Sequence, residues 1–205
     1  MAISFPISLP STPEPAQMEW GALTVGGVNV SPYTLAQETF EWPGNRWMVS
    51  VRYPAMARAQ GDPLAAALVS LYGVGTFLFG PAGPGKTPRG VATGTPLVNG
   101  AVQTGKSLVT DGWTVSVTNI LRAGDYIQLG SGSTARLYMI LVDVNSDAGG
   151  NATLDIWPRL REAPADNASI VTSSPKGVFR LRGRPQWEQE IAYLYSVSFE
   201  AEEAF

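Results

Sequence analysis

Residues 61–81 are the one stretch in which apolar residues recur with clear helical spacing. Apolar side chains return there every three or four residues and so share one helix face: Leu64, Ala67, Leu68 and Leu71. Asp62 is a good N-cap residue, and Pro63 suits the first helical position. The pattern therefore predicts a helix over 62–72 that ends at Gly73.

A short run of large apolar residues, 76–79, follows the helix. Both faces of this run are apolar, which predicts a strand buried on both sides. Outside 61–81 the chain consists of short segments separated by Gly and Pro, which favours strands and turns. The helix is therefore expected to plug or cover a β-structure, and the fold class is mainly β.

Strand patterns occur on both sides of the helix. Residues 47–53 alternate between large apolar and other side chains, which is typical of a half-buried strand. Turns are predicted at 26–27 and over 41–47. The other predicted strands are residues 18–21, 23–25, 28–31, 34–40, 101–104, 107–110, 113–117, 126–129, 135–144, 152–157, 178–182 and 191–200, with further turns at 111–112, 130–132 and 149–151.

The distribution of Pro and Gly suggests how the chain is organised. Residues 1–17 are rich in Pro and predict an extended arm outside the core. Residues 81–100 predict a long loop or a linker. Short strands at regular spacing then favour a small barrel or sandwich. Because the last strand is expected to return to the first unit, the predicted division is 1–84 with 178–205 around an inserted 85–177.

The composition supports a folded chain and excludes several kinds of chemistry. Hydrophobic residues make up 44% and charged residues 15%, which suits a packed core and argues against disorder. The net charge of −3 gives no electrostatic case for nucleic-acid binding. Because Cys and His are absent, disulfides, thiolate chemistry, the usual zinc sites and His-based triads are excluded.

The N-terminal segment is not expected to be a signal peptide, because it lacks a basic start and several prolines interrupt it. The most apolar stretch, 64–79, is too short for a membrane span and contains Gly73 and Gly75. We therefore expect a protein that is made in the cytoplasm and does not insert into a membrane.

Residues 80–87, GPAGPGKT, fit the phosphate-binding P-loop pattern. Residues 137–143 would serve as the apolar strand that ends in a Mg²⁺-binding Asp. A P-loop works because the N-terminus of the following helix points at phosphate. Pro88 and the Gly and Pro residues of 90–96 prevent a helix at that position. The favoured interpretation is a Gly/Pro loop.

Two further groups of polar residues have a functional and a structural interpretation. Residues 143–149 are similar to a calcium loop, but Leu154 stands where the bidentate Glu belongs. An Asn/Asp-rich turn is favoured, with a weak cation site as the alternative. The acidic residues near the C-terminus could supply an acid/base pair, a surface that repels DNA or, most commonly, a solvated strand face. They are Glu188, Glu190, Glu200, Glu202 and Glu203.

The six tryptophans could form a sugar-binding platform or belong to a core. Trp47, Trp113 and Trp157 fall within strand patterns and are expected in the core. Trp42 and Trp187 flank predicted turns and are candidates for an exposed interface.

Six segments carry a resemblance to a known family. They are residues 40–47 (FEWPGNRW), 61–81, 100–105 (GAVQTG), 124–130 (GDYIQLG), 156–161 (IWPRLR) and 195–200 (YSVSFE). Together they resemble minor tail proteins of long-tailed bacteriophages, and most of all the distal tail protein that joins the tail tube to the tip. The match is one of overall pattern, since none of the segments is a chemical signature.

The resemblance implies a split β-barrel with one packed helix that forms a hexameric ring around the DNA path, with a second β-domain carried outward. It implies a place at the tail tip of the virion, in contact with the tail tube protein and with tip or hub proteins. DNA would pass through the lumen without specific binding. The family has no catalytic residues and no cofactor, so a structural protein and not an enzyme is expected.

Assembly would then be the mechanism, with strand edges and apolar seams that pair between neighbours. The Pro-rich arm would reach a neighbour, and the negative net charge would keep DNA from adhering to the ring wall. The residues expected to act as scaffold or interface are Trp42, Trp47, Leu68, Leu71, Phe77, Phe79, Tyr195 and Phe199.

Two other functions are kept as hypotheses. A glycan-binding module for host attachment would be favoured by exposed aromatic pairs in the inserted unit, and soaking with oligosaccharides would test it. An enzyme would be either the P-loop NTPase or an acidic hydrolase. Replacing Lys86 with Ala separates the NTPase from a Gly/Pro loop, since only the NTPase would lose nucleotide binding.

Overall fold

The computed structural model describes residues 3–189 and 194–205. Strands make up 45% of the chain and helical turns 10%, so the fold is mainly β. The described residues contain one α-helix, α1 (Arg58–Ser70). The strands are β1 (Ile7–Ser8), β2 (Gln17–Val30), β3 (Gln37–Arg52), β4 (Met56–Ala57), β5 (Thr76–Phe79), β6 (Gly94–Val98), β7 (Ser107–Trp113), β8 (Tyr126–Leu129), β9 (Arg136–Ile140), β10 (Ala152–Trp157), β11 (Ile170–Val171), β12 (Gly177–Leu181), β13 (Gln186–Gln189) and β14 (Leu194–Glu203).

Eight strands form the first sheet. Six of them follow the order β1-β5-β12-β14-β3-β2, while β4 and β13 pair with opposite sides of β14 at Tyr195. Side chains of β14 and of residues 45–52 of β3 alternate between a buried and a polar face, because successive residues of a strand point to opposite sides. The apolar stripe of α1 packs into the same buried cluster through Leu64 and Leu68.

The other six strands form a nearly closed barrel in the order β11-β8-β9-β10-β7-β6. The two end strands approach each other, because the amide of Val98 donates to the carbonyl of Ala168 and the amide of Asn167 donates to the carbonyl of Val98, both at 2.9 Å. A second apolar cluster fills the barrel, with Leu108, Ile127 and Leu154 at its centre. This barrel and the helix-covered sheet confirm the predicted mainly β class.

The barrel packs against the buried face of the first sheet. The Trp47 indole N–H of β3 donates to the carbonyl of Leu137 in β9 at 3.0 Å, and the Trp47 and Trp157 rings meet edge to face at 4.3 Å. The first sheet takes its strands from residues 7–79 and 177–203, and the barrel takes its strands from 94–171. The division into separately folding domains stays a prediction.

The helix begins four residues earlier than the sequence pattern predicts, so the assignment of Asp62 as its N-cap is wrong. Asp62 lies on the helix surface and accepts a hydrogen bond from Nε of Arg58 at 2.9 Å. Tertiary packing decides where the helix lies. A Cβ atom on Gly61 would come within 2.4 Å of Cγ of Tyr195, so glycine permits close contact between the helix and the sheet. Pro63 is tolerated inside the second turn.

Two predicted turns lie inside the long β2–β3 hairpin and are wrong. Gly26 and Gly27 continue β2, because the Phe40 ring of β3 lies directly over Gly27, where a Cβ atom would meet it at 2.8 Å. Residues 41–47 continue β3. Between Leu23 and Val25 the pairing register shifts, and the extra residues of β3 form an irregularity there. Oδ1 of Asn45 accepts the Val25 amide at 3.2 Å.

The other strand predictions have mixed outcomes. Residues 76–79, 126–129 and 152–157 are strands as predicted, although only alternate residues of 76–79 are fully buried. Residues 101–104 are not a strand, and 111–112 lie within β7 instead of forming a turn. Strands β1, β4, β6, β11 and β13 were not predicted. The predicted strand 191–200 appears as β14, and its residues 191–193 lie outside the described residues.

The N-terminal segment is extended as predicted, but it packs against the rest of the chain. Strand β1 pairs in parallel with β5 and so covers one edge of the first sheet. Ile7 and Leu9 pack against the buried cluster. Farther along, Glu14 accepts hydrogen bonds from Lys86 and from the amide of Gly83, the latter at 3.0 Å. The expected free arm is therefore held on its own molecule.

Candidate assembly surface

The hairpin formed by β2 and β3 leaves a long strand edge open. Among residues 3–189 and 194–205, no strand pairs with the outer side of the 14-residue β2. Most β2 side chains are at least partly exposed, and β2 contains no Lys, Arg or Pro. Natural proteins protect edge strands with such residues, because an open row of N–H and C=O groups pairs readily with another chain.

The outer half of this hairpin carries large apolar side chains in solvent. Val25 and Trp42 pair across the two strands and so share a face, and the Phe40 ring meets Trp42 edge to face at 4.6 Å. Trp42 is 50% exposed, and Tyr33 at the tip is 94% exposed. Exposed apolar clusters of this kind mark interaction sites on soluble proteins.

A second open edge of the same sheet lies at β13, a strand that pairs with β14 beside the main strand order, whose ends are β1 and β2. Strand β13 pairs with β14, and among the described residues no strand covers its other side. All four β13 side chains are exposed, including Trp187. The strands β13, β14, β3 and β2 therefore form a four-stranded antiparallel segment with one open edge at each end.

The face of this segment that points away from the core is polar. Glu19, Ser50 and Glu200 form one row across β2, β3 and β14, and Gln17 and Arg52 belong to the next row. A depression of about 350 Å³ on this face is lined by short polar side chains and by charged ones. The barrel and α1 both pack on the other face.

The residues predicted as scaffold or interface separate into two groups. Trp42 is the exposed one and lies on the open hairpin. The other seven are buried in the first apolar cluster: Trp47, Leu68, Leu71, Phe77, Phe79, Tyr195 and Phe199. Their positions make them part of the core that holds the four-stranded segment, away from its edges.

The P-loop pattern does not form a phosphate-binding loop in this structure. Residues Gly83–Lys86 form a single 3-10 turn, and no α-helix follows within the described residues. The carboxylate of Glu14 lies against the turn, and its hydrogen bond from Lys86 holds the Glu14 pKa below its usual value. Residues 137–143 begin in an antiparallel strand, where a P-loop fold needs a parallel one.

The calcium-like segment is a turn stabilised by its own side chains. Oδ1 of Asp147 accepts the amides of Gly149 at 2.7 Å and Asn151 at 2.8 Å. The hydrogen bond from the Asn151 side chain, and after it the backbone amides, lower the Asp147 pKa. Within the described part of the chain, no three acidic, His or Cys residues are grouped to hold a metal ion.

The C-terminal carboxylates are not gathered into one acid/base site. Glu188 and Glu200 are exposed on the polar face, and Glu190 lies outside the described residues. Glu203 is buried and pairs with Arg161 at 3.0 Å between Oε2 and Nη2. Burial raises the pKa of the Glu203 carboxyl, although Arg161 acts to lower it. This ion pair joins β14 to the segment after β10, so its role is structural.

A cavity of about 120 Å³ lies between the N-terminal segment and the 80–86 loop. Tyr53 lines it, and burial raises the Tyr53 pKa to about 12 from 10.0. A phenol with a raised folded-state pKa stabilises the fold below pH 10, and this contribution is lost as pH rises through about 12.

Between pH 10 and pH 12 the ionisation of Tyr53 should lower the free energy of unfolding of the wild type by about 3 kcal/mol. We therefore expect Tyr53→Phe to lose about 3 kcal/mol less than the wild type over this range. The measurement is denaturant unfolding as a function of pH. Tyr33→Phe is the matched control, because it removes the same hydroxyl from an exposed tyrosine. Equal profiles for wild type and Tyr53→Phe would contradict the expectation.

Sequence reasoning missed two features of this surface. Strand β13 reads Gln-Trp-Glu-Gln and lacks the β-branched residues that indicate strands. The second feature is the negative charge of the β2 edge, and the sequence does show it. Residues 1–45 contain no Lys or Arg, while acidic residues occur throughout them. A count of charge by segment would have shown that the β2 edge is acidic.

No protein-family model matches the chain, and a search of curated proteins finds no significant match. No helix among the described residues is long and apolar enough to cross a membrane.

Proposed function

We propose that the chain is a structural component of a phage tail tip, in which copies join side by side into a ring between the tail tube and the distal hub. The observation that carries the proposal is the four-stranded segment with an open edge at each end, β2 on one side and β13 on the other. The sequence resemblance to distal tail proteins supports the same function.

Strand directions favour closure between copies. The four strands alternate in direction, so β2 and β13 run in opposite directions. A copy rotated about the ring axis keeps its strand directions, and its β13 then lies antiparallel to the first copy's β2. Two different edges that meet head to tail build a closed ring when the rotation closes.

The two faces of the segment suit the inside and the outside of such a ring. The barrel and α1 occupy the apolar face, which leaves the polar face free to line a channel. That face mixes acidic residues such as Glu19 and Glu200 with arginines such as Arg52 and Arg184. Mixed charge on a lumen wall would let DNA pass without a strong net attraction. We propose this in place of the earlier expectation that a negatively charged wall repels DNA.

A lysine on the open edge tests the proposal. We expect Val28→Lys to convert rings into monomers, because a charged residue on an edge strand hinders the addition of another strand. Val91→Lys is the matched control, because the two valines are equally exposed. Val28 on β2 is 58% exposed, and Val91, in the segment before the barrel strand β6, is 57% exposed. Light scattering gives the masses. Equal assembly of both variants would contradict the proposal.

Glycan binding is the alternative. The two most exposed tryptophans, Trp42 and Trp187, belong to the first sheet and not to the inserted unit in which that role would lie. Binding of oligosaccharides by a protein that stays monomeric would favour the alternative.

A further inference from the structure

The C-terminal end of α1 carries apolar side chains in solvent. Val69 is exposed in the last turn of the helix, and Tyr72 and Val74, just after it, are 73% and 82% exposed. No residue from 63 to 85 carries a charge. An uncharged group of exposed apolar side chains indicates an interaction site. We call Val69, Tyr72 and Val74 the helix-end patch.

The backbone at Tyr72 supports a role in binding. Its φ is +48°, in the left-handed region that a bulky side chain rarely adopts. The first residue after a helix often has this conformation, but it is usually Gly and sometimes Asn. Strained residues are concentrated at functional sites, so an exposed tyrosine at this position suggests that its ring is needed.

The helix-end patch lies beside the open edge of β13. Helix α1 passes over β14 where Gly61 contacts Tyr195, and it leads into β5. Strand β5 pairs with the side of β12 that faces away from β14. Strands β12 and β13 follow one another along the same side of β14, opposite β3. The end of α1 therefore lies one strand farther out than β13, on the side where another copy would join.

A β2 strand that joins β13 runs toward this patch. Strand β13 is four residues long and β2 is 14, so most of a joined β2 extends past β13. In antiparallel pairing β2 runs from the Gln189 end of β13 toward the Gln186 end, which is the end near β12. The second half of β2 is therefore directed to the place where α1 ends and β5 begins.

The second half of β2 presents an apolar face to the same side as α1. Gly26 pairs with Glu41, whose carboxylate accepts a hydrogen bond from Lys106 of the barrel. This face of the hairpin thus points to the barrel side of the sheet, where α1 also packs. Val28 and Val30 lie two and four residues beyond Gly26 on the same strand, so they share that face, and both are exposed.

We propose that the helix-end patch of one copy packs on Val28 and Val30 of the next copy, with Tyr72 at the centre of the contact. The inference rests on the proposed ring and adds an apolar contact to its strand pairing. Residues 20–37 carry no charge, like residues 63–85, so no ion loses its water when the two surfaces meet. Tyrosine is enriched among the residues that dominate binding energy in interfaces.

Replacing Tyr72 with Gly separates binding from folding. Glycine adopts a positive φ without steric cost, so the variant keeps the fold and loses only the exposed ring. We expect the protein concentration at half-assembly to rise about tenfold, which corresponds to about 1.4 kcal/mol. Val102→Gly is the matched control, because Val102 is also exposed and has a φ of +64°, but lies in the barrel unit. It should assemble like the wild type, and denaturant unfolding checks the fold of both variants.

Thiol chemistry locates the contact with Tyr72 in place. The chain contains no Cys, so an introduced one is the only thiol. Val74→Cys should react with a maleimide more slowly in rings than in monomers, whereas Val102→Cys should react equally fast in both. In an equimolar mixture of Val28→Cys and Val74→Cys, a short bismaleimide should join two copies covalently. The mixture of Val102→Cys and Val28→Cys should give no such product.

The outcomes separate the contact from the ring. A wild-type protein that stays monomeric at every concentration overturns the proposed ring, and the helix-end contact with it. Rings of Tyr72→Gly that form at the wild-type concentration overturn the contact and leave the ring standing. A Val74→Cys thiol that reacts equally fast in rings and monomers also overturns the contact, and it assigns the helix-end patch to a different protein.

Discussion

Replacing Arg161 with Ala is expected to lower the free energy of unfolding by about 3–5 kcal/mol, because it leaves a buried carboxylate without its partner. The side chains of Arg161 and Glu203 are 6% and 1% exposed. The guanidinium also stacks on the Phe205 ring at 4.5 Å, and Oε2 of Glu203 accepts the Trp47 amide at 3.2 Å. The pair therefore joins the barrel to the first sheet.

The loss should depend on pH. Burial raises the pKa of Glu203 above its ordinary 4.5, so the folded state binds more protons than the unfolded state. Stability then falls as pH rises from 4.5 through the raised pKa. Without Arg161 the pKa rises further, so Arg161→Ala should lose stability more steeply over this range than the wild type does.

Two variants make the interpretation specific. Arg159→Ala is the control, because this neighbouring arginine forms no ion pair among the described residues. Arg161→Met combined with Glu203→Gln removes both charges and keeps an acceptor for the Trp47 amide. It should recover roughly half of the loss or more. A double variant less stable than Arg161→Ala would show that the charge is not what matters.

Replacing Asp125 with Ala should cost the barrel about 3 kcal/mol, because three backbone amides lose their acceptor. The carboxylate of Asp125 is buried and accepts the amides of Arg89 at 2.7 Å, Gly90 at 3.0 Å and Arg122 at 2.8 Å. These bonds attach the segment before β6 to the turn before β8. Its position would no longer be fixed in the variant.

Denaturant unfolding measures this loss, and Asp155→Ala is the control. Asp155 is an exposed carboxylate in the same barrel, on β10, and its side chain accepts no hydrogen bond from a described residue. Asp125→Asn should lie between the two, since an amide keeps one acceptor oxygen. A loss below about 1 kcal/mol for Asp125→Ala would mean that water satisfies the three amides.

The sequence predicted the fold best where one strand face is buried. Residues 126–129 and 152–157 have the predicted bounds, because an alternating burial requirement leaves a period-two pattern in the sequence. The helix was found as an element, but its start depends on contact between Gly61 and Tyr195, which are far apart in the sequence. Helix-capping rules consider only residues that are neighbours in the sequence, so they cannot predict a start that depends on this contact.

The candidate site was predicted least well, for a physical reason. The outer part of the β2–β3 hairpin is exposed on both faces, so neither face imposes a period on the sequence. Turn-forming residues such as Gly27 and Pro43 can then lie inside the strands, supported by Phe40 and Asn45. Trp42 was predicted as a candidate for an exposed interface because it flanks a predicted turn. The open edges could not be predicted, because they depend on strand pairing that only the structure shows.

The central proposal is that copies continue one sheet around a ring. Electron cryo-microscopy of purified protein tests it most directly. The predicted result is an open-centred ring in which β2 of each copy lies antiparallel to β13 of the next, with Glu19 and Ser50 facing the lumen. A ring joined through the barrel units, with β2 still exposed, would contradict the proposal.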